Sequence, residues 1–121
     1  MISNKIGVGY EKLIAWKLSD KLAWEVYQLT DRFPKHEVYG LTSQLRRAVL
    51  SVVLNIVEGY SRNSKNEFKH FLNISLGSLA ERDYLLQFSL KRNYITKGDF
   101  ERVGKLREET DKVLWSLMKS L

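Results

Sequence analysis

The chain has 121 residues, 44% of them apolar, with three Trp, six Tyr and five Phe; this suits one domain with its own core and excludes a disordered chain. Zero Cys excludes disulfides and thiolate metal sites, and no apolar run approaches the ~20 residues of a membrane span. Twenty Lys and Arg against 14 Asp and Glu leave a net charge of +6, a field that favours polyanions, nucleic acid above all, although charge carried for solubility produces the same balance.

Residues 1–12 contain Gly7 and Gly9 and no apolar run of signal-peptide length. They read as an N-terminal arm ahead of a single domain over 13–121, and the protein is expected to be cytoplasmic. From Leu13 to Asp31, Ile14, Leu18, Leu22, Val26 and Leu29 recur at helical spacing. Phe33-Pro34 ends that helix, because proline disfavours helical backbone in the residue before it. Gly40 opens a turn into a second helix over 41–58, with Gly59 as its expected stop. Ser64 and Glu67 have capping-box spacing at the head of a third helix over 65–91. Its stripe runs Phe68, Phe71, Leu72, Leu76, Leu79, Leu86 and Leu90. Thr96 and Asp99 repeat the box before a fourth helix, whose stripe includes Phe100, Val103, Leu106, Val113, Leu114, Leu117 and Leu121. No segment alternates as a strand would. Four long helices on short loops predict an all-α fold, an antiparallel up-down-up-down four-helix bundle.

The second helix is the most informative. At 100° per residue, Gln44, Arg47, Ser51, Asn55, Glu58 and Arg62 share one narrow polar stripe. Leu45, Val49, Leu50, Val52, Val53, Leu54, Ile56 and Val57 cover an arc of roughly 200°, where a surface helix needs about 100°. Burial on a second side, against another subunit, explains the surplus; a helix lying centrally in its own bundle is the other explanation. Outward positions for such an interface are to be found among Leu50, Leu54 and Val57. If the second and third helices form a hairpin, Arg47 comes within reach of Gly77, Ser78 and Glu81. An Arg47–Glu81 ion pair is expected there, with the small residues letting the helices approach. Gln44, Arg47, Ser51, Asn55, Glu58, Ser78 and Glu81 thus form a predicted structural polar cluster.

Catalytic patterns are weak. Glu67 and His70 have the Glu-x-x-His spacing of di-iron bundles, but such a site needs two of these motifs and two further Glu. Glu58 and Glu81 as an acid/base pair are better explained by structure. Serine elbows, phosphate-binding glycine loops and zinc spacings are missing. No enzyme activity, metal or cofactor is expected. The topology gathers Arg46, Lys91, Arg92 and Lys97 at one end of the bundle, with Arg32, Lys35, His36 and Arg47. Arg62, Lys65 and Lys69 gather at the other, with His70, Lys112 and Lys119. These ends are the candidate nucleic-acid-binding surfaces. Contacts to phosphates with little base recognition are expected, since no exposed stacking aromatics are apparent.

The run Tyr39-Gly40-Leu41-Thr42-Ser43-Gln44-Leu45-Arg46-Arg47-Ala48 continues through Ser51-Val52 and Asn55-Ile56-Val57-Glu58-Gly59. Ser61-Arg62, Glu67-Phe68, Phe71-Leu72 and Gly77-Ser78-Leu79-Ala80-Glu81 follow. Together with Trp16, Tyr27 and Phe33-Pro34, these elements resemble the bacterial four-helix bundle protein family, also called 23S ribosomal RNA intervening-sequence proteins, over roughly residues 10 to 121. Ser75 and Val57 stand where alanine is usual in that family. The resemblance implies an antiparallel four-helix bundle, often a homopentameric ring, related in fold to accessory proteins of diversity-generating retroelements. It brings no catalytic residues. The function expected is that of a basic, ribosomal protein-like homo-oligomer that binds RNA and is associated with rRNA intervening sequences. The alternative is a scaffold or accessory subunit for a protein partner, such as a polymerase. No membrane is involved in either.

Overall fold

The computed structural model describes residues 13–121; the predicted arm at 1–12 lies outside them. Four helices form: α1 (Ile14–Thr30), α2 (Leu41–Tyr60), α3 (Lys65–Lys91) and α4 (Lys97–Ser120). The described residues contain no strand. Contacts run α1–α2, α2–α3, α3–α4 and α4–α1, with none across either diagonal. The chain is therefore an up-down-up-down bundle with its helices at the corners of a square.

Local chemistry sets the helix ends. The Ser64 hydroxyl accepts the Glu67 N–H at 3.2 Å, and Thr96 accepts the Asp99 N–H at 3.0 Å. Each bond satisfies an orphan donor of a first turn. The α3 terminus uses Asn93 in the left-handed region, φ 61°. The Tyr94 N–H returns to Ser89 O at 2.9 Å and the Asn93 N–H to Leu90 O at 3.0 Å, the paired bonds of a Schellman stop. Between α1 and α2, Phe33 turns into the core and Lys35–Glu37 form one 3-10 turn. No side chain caps α2 at Gly40. Glu37 does the work instead, its Oε1 accepting the Leu41 N–H at 3.1 Å.

The core takes Leu22, Val26 and Leu29 from α1, Leu45, Val49, Val52 and Ile56 from α2, Leu72, Leu79 and Leu86 from α3, and Val103 and Leu114 from α4. Each such side chain contributes roughly 1.5–3 kcal/mol relative to exposure. The predicted stop at Gly59 does not occur, since α2 runs on to Tyr60. Gly59 is there for packing: a Cβ on it would lie 2.9 Å from Phe68 Cδ1 and 2.9 Å from Phe71 Cβ. Ser75 marks the same close seam, its hydroxyl donating to the Val52 carbonyl of α2 at 2.9 Å. Gly77, expected to admit a close approach, faces open space. Ile14, expected on the α1 core stripe, is exposed, because the buried face at this end of the helix runs through Ala15 and Ser19 one position on.

Candidate functional site

The polar stripe of α2 faces α3 across an open groove. Gln44, Arg47 and Ser51 line one wall, Ser78 and Glu81 the other, around a cavity of about 480 Å³. The Ser78 hydroxyl donates to Ser51 Oγ at 2.8 Å. Asn55 Nδ2 donates to Ser51 O at 2.8 Å and to Ser51 Oγ at 3.0 Å. Glu58 pairs with Arg62, four residues on and just past the end of α2, at 3.0 Å. Arg47 and Glu81 are both exposed, and the expected ion pair between them is not among those the described residues form. Both charges face solvent, and a solvent-facing pair gains too little to draw two long side chains together.

The seven candidate cations divide by chemistry. The three arginines are committed within the chain. Arg46 reaches Asp31 at 2.7 Å, donates to Thr30 Oγ1 at 2.9 Å and lies 4.4 Å over the Tyr27 ring. Arg62 holds Glu58 and sits over Phe71; Arg92 packs 5.6 Å from the Tyr94 ring centre. The four lysines, Lys65 and Lys69 at one end and Lys91 and Lys97 at the other, are exposed. They form no ion pair among the described residues.

Exposed aromatic groups are present, contrary to the expectation from sequence. Tyr84 is 65% exposed and Phe88 41%, with ring centres 6.3 Å apart. They lie one turn apart on the face of α3 that carries Lys91. Their 100° positions fall outside the core stripe, so the helical periodicity of α3 was the signal that could have found them. A second apolar surface spans α1 and α2: Trp24 is 66% exposed, Leu54 61% and Leu50 38%. Val57 is half-buried. Glu67 and His70 lie exposed on the first turns of α3, with the His70 ring against Phe71.

Sequence reasoning missed a buried charge cluster between α3 and α4. Arg82, 2% exposed, lies on the core stripe between Leu79 and Leu86. Its Nη2 donates to Asp83 Oδ1 at 2.5 Å, and the other Asp83 oxygen pairs with Arg107. Burial lowers the Arg82 pKa, Asp83 raises it, and the neighbouring Arg107 charge lowers it further. The signal lay in the stripe itself, which goes from Leu79 to Leu86 without an apolar residue at 82 or 83.

The chain is thus a capped antiparallel four-helix bundle with a polar α2–α3 groove, lysine-tipped ends and exposed apolar faces. The chain belongs to the 23S rRNA-intervening sequence protein family, which matches residues 11–116. It is similar to a crystal structure of a protein with unknown function from the S23 ribosomal protein family of Bacteroides thetaiotaomicron VPI-5482. The two share 25% sequence identity with a TM-score of 0.81, covering 88% of this chain and 99% of that one. Comparison with curated proteins finds no match. No helix among the described residues is long and apolar enough to cross a membrane.

Proposed function

We propose that the protein is a cytoplasmic, non-enzymatic homo-oligomer that binds RNA and is associated with rRNA intervening sequences. The carrying observation is the four lysines, exposed and outside any ion pair among the described residues, two at each end of the bundle. Phosphate contacts need cations of this kind, and family membership makes RNA the polyanion to test first. Assembly multiplies the effect: a pentamer at +6 per chain carries roughly +30. Tyr84 and Phe88 beside Lys91 add two π-faces on which unpaired bases can stack, a contact worth ~1–3 kcal/mol per base.

Fluorescence anisotropy with single-stranded and structured RNA across a salt series tests this. Affinity should fall with a slope near −0.7 per phosphate contact on single strands. Arg62, Lys65 and Lys69 changed together to Glu, or Lys91, Arg92 and Lys97 together, should abolish binding in one case and identify the face. Failure of the wild type to bind RNA at low salt overturns the reading. The surface of Trp24, Leu50 and Leu54 then supports the second one, a scaffold or accessory subunit docking a protein partner.

A further inference from the structure

At the interface between α3 and α4 two guanidinium groups pair with one carboxylate, and a second carboxylate, Glu108, stands unpaired at the rim. Arg82 and Arg107 share the single carboxylate of Asp83. Nε and Nη1 of Arg82 and Nε of Arg107 are buried and meet no acceptor. Orphaned buried donors are unfavourable, and a buried charge without full compensation more so. Arginine does not escape by losing its proton at neutral pH. Beside these groups lies a cavity of about 270 Å³, whose walls include both arginines, Asp83, Gln87, Phe100 and Glu108. At about 30 Å³ per water, it has room for a small ion and part of its hydration.

We propose that this cavity is a binding site for a small free oxyanion, phosphate or carboxylate, held by the guanidinium groups of Arg82 and Arg107. The guanidinium fork matches the oxygen spacing of either anion, and charge assistance makes such bonds short and strong. Arg107 is the more exposed of the two, so an entering anion meets it first. Asp83 holds the two forks side by side, and its one carboxylate balances only one of the two guanidinium charges it touches. The Glu108 carboxylate at the rim is exposed and forms no ion pair among the described residues. It opposes the anion without occupying the site.

The test is thermal unfolding and titration calorimetry of the whole protein with inorganic phosphate, acetate or chloride, each below about 10 mM at constant ionic strength. Phosphate or acetate should raise the unfolding midpoint by several degrees at saturation, and the better of the two identifies the anion. Arg82→Leu and Arg107→Gln should each abolish the rise, and Glu108→Gln should tighten binding several-fold by removing a competing charge. Arg107→Gln keeps the test informative should Arg82→Leu fail to fold. A rise no larger than that with chloride overturns the proposal. So does an equal rise in both arginine variants, because excluded anions stabilise any folded protein. Weaker binding by Glu108→Gln also overturns it, since that carboxylate would then be part of the site's own charge balance.

Discussion

Arg82 and Asp83 are adjacent in sequence and opposite in energetic role. Asp83→Ala leaves two guanidinium groups facing each other at the α3–α4 seam, one of them fully buried. The expected loss is about 3 kcal/mol by urea denaturation, the range for breaking a buried pair from one side. Arg82→Leu removes the buried charge and fills the space with apolar volume, so it should be neutral or stabilising by ~1–4 kcal/mol. Equal destabilisation by both would mean that Arg82 is fully compensated as it stands. Glu37 offers a pH-dependent counterpart. The Leu41 N–H and the Tyr94 hydroxyl hold its carboxyl below the ordinary range; burial opposes them, and the neighbouring His36 and Arg92 add to the lowering. A carboxylate depressed in the folded state stabilises above its unfolded value, about 4.3, and that contribution is lost as pH falls through the folded value. The melting temperature of Glu37→Gln should therefore fall less steeply than wild type below about pH 4.3, and parallel curves would show the carboxylate contributes nothing.

Among the elements, Gly59 separates what sequence reading reaches from what it misses. As a stop signal it predicts a helix end, yet α2 passes through it. Its role comes from Phe68 and Phe71 on the opposing helix, a contact no local pattern encodes. Gly59→Ala should improve helix propensity by ~1 kcal/mol but overpack the seam by ~1–3 kcal/mol. A lower chemical-denaturation midpoint is expected, and a raised one would mean the seam relaxes freely. Ser64 and Thr96 were legible as caps because donor and acceptor lie three residues apart. Asn93 was not, since only its φ reveals the role. The Arg47–Glu81 pair failed for a related reason: helix geometry brings two positions together, but their exposure to solvent decides whether pairing gains anything.

For the whole molecule, the broad apolar arc of α2 divides cleanly. Leu45, Val49, Val52 and Ile56 enter the core, while Leu50, beside Trp24, and Leu54 remain on the surface. Light scattering should give a mass several times 14.2 kDa, five times if the ring implied by the family resemblance forms. Leu54→Lys should return it to 14.2 kDa with helicity unchanged, as a charge set in an apolar contact breaks association before it touches the fold. A wild-type monomer at micromolar concentration would refute self-assembly through this face.

The square of contacts also orders events in time. The α2–α3 seam joins neighbours across a four-residue connection, residues 61–64, so its loop closes quickly and at small entropic loss. The α1–α4 edge joins the two ends of the domain, and just past α1 the Arg32–Asp99 bond links partners 67 positions apart in sequence. That closure is the most expensive in chain entropy and comes last, after the α2–α3 hairpin has formed. Weakening the Arg102–Glu25 pair, 2.7 Å across this edge, should accelerate unfolding and leave the folding rate nearly untouched. Slowed folding in Glu25→Gln would place the edge in the nucleus instead. The last seam to close is the first to open, so the α1–α4 edge is where a protease or an exchanging amide proton should first gain entry to the native protein.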